Sequence, residues 1–136
     1  MTTAVLSPLN GGAAVDLAAT LFRKQVLPLG SIDYKGQTIT FDREYLTDLA
    51  DSFQQGAFDQ VPFLLADENN KHTLDPERFR GEVRGMELTE TGLDAILELT
   101  PDAADLVRKT KGKLGVSARL IEGLARADGK TFKRAM

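Results

Sequence analysis

The order of apolar and polar positions divides this chain into short extended segments with two stretches of helical period between them. Residues 22–29 are rich in β-formers and stop near Pro28 and Gly30. Residues 31–41 read as a hairpin: Ile32 and Tyr34, a turn at Lys35-Gly36, then Thr38 to Phe41. Asp42 is a suitable helix N-cap, and Tyr45, Leu46, Leu49, Ala50 and Phe53 recur at three and four residues, which makes one apolar stripe. Gly56 is the expected stop. Residues 61–65 form a short buried strand that Pro62 assigns to an edge or a strand start. Residues 78–88 and 93–99 make the clearest hairpin. Its turn is Thr89-Glu90-Thr91-Gly92, with Gly92 expected at positive φ, and Gly81 and Gly85 suggest a bulge or a close backbone approach. Thr100-Pro101-Asp102 opens a second helix to about Lys109, with Ala103, Leu106 and Val107 inward, broken by Lys111-Gly112-Lys113. Residues 113–121 alternate as a buried strand, with Leu114, Val116, Ala118 and Leu120 on one face and Gly115, Ser117 and Arg119 on the other. A final hairpin turns at residues 126–130.

Residues 1–20 lack such a pattern. They are small and weakly polar, and the expectation is a flexible arm over 1–21, with a short helical turn through Val15 to Leu21 at most. Order is expected to begin at Phe22, and residues 22–136 form one domain. The fold class is therefore α+β: a small mixed or mostly antiparallel sheet or barrel with two or three flanking helices.

Composition adds exclusions. At 136 residues, 42% hydrophobic and 27% charged, the chain suits one globular domain. A net charge of −3 argues against a general nucleic-acid binder. No apolar run approaches the length of a membrane span, and the first residues lack the positive charge of a secretory signal, so a cytoplasmic protein is expected. With no cysteine, disulfides and cysteine-based zinc sites are excluded. Scattered acids and one histidine give no metal-ligand spacing, so neither metal nor cofactor is expected.

The candidate chemistry rests on two residues. Ser117 is flanked by small neighbours, which leaves room for a peptide to approach its hydroxyl. Serine needs a base within hydrogen-bond reach to act as a nucleophile, and His72 is the one imidazole in the chain. On composition and spacing alone, a structural serine and a solvated loop histidine remain the alternative.

The order of parts carries further information: residues 61–72 with the single His, residues 79–93 with a Thr-Glu-Thr-Gly turn, a helix opened by Thr-Pro, then Leu114-Gly115-Val116-Ser117-Ala118-Arg119. This order resembles the tailed-bacteriophage prohead, or capsid maturation, serine proteases, which are similar in turn to the herpesvirus assemblins. The resemblance covers about residues 22–136. It implies an assemblin-like fold, a Ser117 nucleophile, a His72 general base, and the phage scaffold and major capsid protein as partners, acting in the host cytoplasm inside the immature prohead. Homo-oligomers are compatible with it. Assemblins orient the base with a second His a couple of dozen residues after the nucleophile, and this sequence ends before that point. Glu82 is the substitute candidate, and Asp67 and Asp75 compete with it. The departure leaves two expectations open: a protease or shortened protease, or a shell protein that kept the fold without the chemistry.

Overall fold

The computed structural model describes residues 2–5, 12–65, 75–112 and 119–136. Thr2–Val5 is β1, Val15–Ala18 is β2 and Leu21–Pro28 is β3. Gly30–Tyr34 and Gln37–Phe41 are β4 and β5, Arg43–Gln54 is α1 and Pro62–Leu64 is β6. After a single turn of 3-10 helix at Pro76–Arg78 come β7 (Phe79–Leu88), β8 (Gly92–Leu99) and α2 (Pro101–Lys109). Arg119–Ala125 and Thr131–Ala135 are β9 and β10. The class is α+β with antiparallel sheets. The largest is open, in the order β2-β3-β8-β7-β6. A second runs β1-β9-β10, and among the described residues β4 and β5 pair alone.

Local chemistry explains the elements. Lys35 at φ +49° and Gly36 at φ +78° join β4 to β5, both on the positive side that a tight two-residue hairpin turn requires. The Asp42 carboxylate caps α1 by accepting from the Tyr45 N–H at 2.7 Å. At the other end Gly56, at φ +73°, donates to the Phe53 carbonyl, and the Ala57 N–H reaches the Ser52 carbonyl at 2.9 Å. That pair of bonds is a Schellman stop, and its trailing residue Ala57 is buried against Phe132 and Ala135. Tyr45, Leu46, Leu49 and Ala50 face the main core with Phe22, Leu27, Phe41, Leu93, Leu97 and Leu120.

α2 ends the same way, with a less suitable residue. The Lys111 N–H bonds the Arg108 carbonyl and the Gly112 N–H bonds the Val107 carbonyl, while Lys111 sits at φ +57°. A side chain there is strained, so Lys111→Gly is expected to stabilise the fold by about 0.5–1 kcal/mol. The check is the urea midpoint at unchanged slope. No gain would mean that the lysine side chain offsets the strain of its backbone.

Several expectations need correction. Residues 15–18 form a strand, not a helical turn, and Ala14 already lies in the core, so the sheets begin before Phe22. β2 is an edge strand exposed on both faces, which removes the alternation by which strands are read. Gly92 does not take positive φ. Glycine is needed there because a Cβ would strike the Leu27 carbonyl oxygen and come within 3.0 Å of Pro28 Cα. Leu106 is 61% exposed, because the inward face of α2 is set by Ala104 and Val107 instead. Of the strand expected over 113–121, only the part from Arg119 onward falls among the described residues. The expectations for Gly81 and Gly85 hold: the first lies against the β8 backbone, and the second marks a register shift.

Candidate functional site

Ser117 lies in 113–118, and His72 and Asp67 lie in 66–74. All three are outside the described residues. What is described is how the chain is held on either side of those two segments. Segment 66–74 leaves from β6, an edge strand, and returns at Asp75. Its two sides are joined directly, because the Leu65 N–H donates to the Arg78 carbonyl at 2.8 Å. The return is fixed by Asp75, whose carboxylate accepts from the Glu77 N–H at 3.0 Å and whose carbonyl accepts from the Arg78 N–H at 3.0 Å. Segment 113–118 leaves from the Schellman turn of α2 and enters β9, the central strand of its sheet. Leu120, the second residue of that strand, is buried in the main core. Both segments are thus bounded by hydrogen-bonded elements on the described side.

Glu82, the candidate third member, is on β7 opposite Pro62 and Glu98. One carboxylate oxygen accepts from Gln60 Nε2 at 2.9 Å and the other pairs with Arg84 at 2.8 Å. Both oxygens are therefore engaged on the sheet.

A polar cluster that the residue pattern did not single out joins α1 to β9 and β10. Arg134 lies over the Tyr45 ring at 4.2 Å and pairs with Asp48 at 3.1 Å. The Ser52 hydroxyl donates to the Arg134 carbonyl at 2.6 Å, and the Tyr45 hydroxyl points to Glu122 at 3.5 Å. Glu122 and Arg134 are cross-strand partners, so the cluster fixes the strand that follows Ser117 against the helix. Burial, and then the negative charge of Glu122, push the Tyr45 phenol from about 10 up to about 12, with Arg134 opposing. Below about pH 10 the phenol is neutral in the folded and unfolded chains alike, and its contribution is complete. As pH rises from about 10 through about 12 the unfolded chain loses the proton first, so stability falls, by on the order of 2 kcal/mol. Tyr45→Phe is expected to flatten that alkaline loss. Urea midpoints at about pH 9 and about pH 11 measure it, and an equal alkaline drop in both proteins would remove Tyr45 as its source.

Two further side chains escape a reading by composition. Arg126 donates to the Gly56 and Ala57 carbonyls and pairs with Asp59 at 3.3 Å, which ties the end of α1 to the last hairpin. Lys24 is only 2% exposed. Its signal was present in the sequence, since it falls at period two between Phe22 and Val26 on the buried face of β3.

Among the described residues, no group of three or more His, Cys, Asp or Glu is placed to hold a metal ion. No described helix is long and apolar enough to cross a membrane. No family model matches the chain, and neither a curated protein nor a solved structure does.

Proposed function

We propose that this chain is a serine endopeptidase of phage capsid maturation, with Ser117 as nucleophile and His72 as general base. The observation that carries the reading is the ordered set of segments: the single histidine after a short edge strand, then the glycine-bearing hairpin, then a Thr-Pro helix, then Leu-Gly-Val-Ser-Ala-Arg. The α+β architecture and the anchored ends of both segments are compatible with it. The assemblin-like fold is part of the same proposal.

In this reaction the imidazole takes the hydroxyl proton as Ser117 Oγ attacks the scissile carbonyl. The proton passes to the leaving amine as the peptide bond breaks, which leaves an acyl-enzyme. Water, deprotonated by the same imidazole, then releases the acyl group and restores the serine. A carboxylate would hold the imidazole in the right tautomer. Glu82, each of whose oxygens already holds one partner, is one candidate, and Asp67 and Asp75 are the others. The substrates would be the scaffold, or the scaffolding segment of the major capsid protein, inside the immature prohead.

The engagement of Glu82 favours a second reading, a shell or assembly protein that kept the fold without the chemistry. Incubation with the scaffold separates the two. The protease reading expects cleavage by the native chain and none by Ser117→Ala, whereas equal behaviour of both proteins sinks it. A shell protein would instead persist at stoichiometric copy number in mature particles.

A further inference from the structure

Residues 12–18 are held onto the five-stranded sheet in an unusual balance. The strand they contain, β2, exposes all four of its residues, with Val15 at 54% and Leu17 at 45%. Of this stretch only Ala14 reaches the core. Apolar burial therefore does little to hold it. The holding contacts are polar. The Ala14 N–H donates to the Gly112 carbonyl at 2.8 Å. Asp16 pairs with Arg108 Nε at 2.8 Å, and Arg108 also donates to the Ala19 carbonyl while lying over the Phe22 ring at 5.2 Å. The approach to α2 is so close that a Cβ on Gly112 would overlap the Ala14 carbonyl oxygen and come within 3.2 Å of the Ala14 nitrogen.

One group works against closure. Lys24 is buried, and among the described residues its ammonium has a single hydrogen-bond acceptor, the Gly12 carbonyl. An ammonium offers three donors and is strongly hydrated in water. A lone neutral acceptor replaces little of that hydration. Burial accordingly lowers the lysine's affinity for its proton, with Asp94 opposing.

We propose that residues 12–18 are a strap poised to open as a unit, driven by rehydration of the Lys24 ammonium, while the β3-β8-β7 sheet stays folded. Opening releases the Lys24 ammonium from the Gly12 carbonyl, frees the outer edge of β3 to pair with another extended chain, and releases the contact between Ala14 and Gly112. Gly112 is the last described residue before the segment that contains Ser117. The opening does not depend on the protease reading.

Two variants should move the strap in opposite directions. Lys24→Met keeps length and removes the buried charge, so it tightens the strap. Asp16→Asn removes an exposed ion pair and loosens it. Native-state hydrogen exchange of the full chain, followed by mass spectrometry, reads both at the Ala14 amide and the β2 amides, with β8 amides as reference. The strap amides are expected to exchange well ahead of β8. Lys24→Met should slow them by about tenfold or more, and Asp16→Asn should speed them by up to about fivefold, with β8 unchanged relative to global stability. Exchange of strap and β8 at one common rate overturns the proposal. So does a Lys24→Met chain whose strap exchanges as fast as the native one, or faster. Neither outcome depends on peptidase activity, so the strap and the protease reading fail separately.

Discussion

Ser117→Ala and His72→Ala are each expected to slow scaffold cleavage by roughly 10⁴- to 10⁶-fold, and the double variant no further than either alone. Under the proposed mechanism the two groups act as one unit. Without the imidazole the hydroxyl keeps its proton and is a poor nucleophile, and without the hydroxyl the imidazole has nothing to activate. Neither change should alter the unfolding free energy read from urea titrations by more than about 1 kcal/mol. Initial rates measured with the same scaffold preparation give the answer. Multiplying effects in the double variant would mean that the two residues act independently, and a tenfold effect or less would assign them no chemistry. A third-member role for Glu82 predicts a smaller loss in Glu82→Gln, expressed in the rate of the chemical step with substrate affinity kept.

Gly81→Ala should have the largest effect on stability. Gly81 lies within β7, between β6 and β8, opposite Phe63 on one side and Leu99 on the other. Its φ is +156°, and a Cβ would overlap the Glu98 carbonyl oxygen and stand 2.9 Å from Leu99 Cα. Both obstacles are main chain, so no rotamer change relieves them. The strands must separate, and the ladder that carries the core residues Leu97 and Leu99 must distort with them. A loss of about 3 kcal/mol or more is expected, which is a fall in Tm of roughly 10 °C. Gly85→Ala, four residues along the same strand, is the control. Its Cβ would find Ile96 Cγ1 at 3.5 Å, an ordinary contact with a side chain, and the change should stay within about 1 kcal/mol. Equal losses at the two positions would show that strand propensity, not the close approach, decides the outcome.

The parts of the fold legible in the sequence are those whose chemistry is local. Lys35-Gly36 makes the β4–β5 hairpin whatever surrounds it, and Asp42 with the Tyr45 stripe marks both the start and the buried face of α1. Thr100-Pro101 starts α2 by position alone, since the threonine side chain makes no cap bond. The features that escaped are set at a distance. β2 exists because β3 offers an edge, and its four exposed residues carry no pattern. Leu106 is apolar and exposed because Ala104 and Val107 are what the sheet accommodates. Gly92 is required by the Leu27 carbonyl, which belongs to a strand far away in sequence. The candidate site divides in the same way. Residue types and their order point to Ser117 and His72, while the partners of Glu82 and the Tyr45–Glu122–Arg134 cluster emerge only when strands are in register.

A serine-directed phosphonylating reagent tests the central claim most directly, because it requires an activated hydroxyl and no knowledge of the cleavage site. The chain is incubated with a fluorophosphonate, digested and mapped by mass spectrometry. The account predicts a single phosphonyl adduct on Ser117, absent from Ser117→Ala and strongly slowed in His72→Ala. No adduct, or an adduct on another serine that persists in Ser117→Ala, would contradict it.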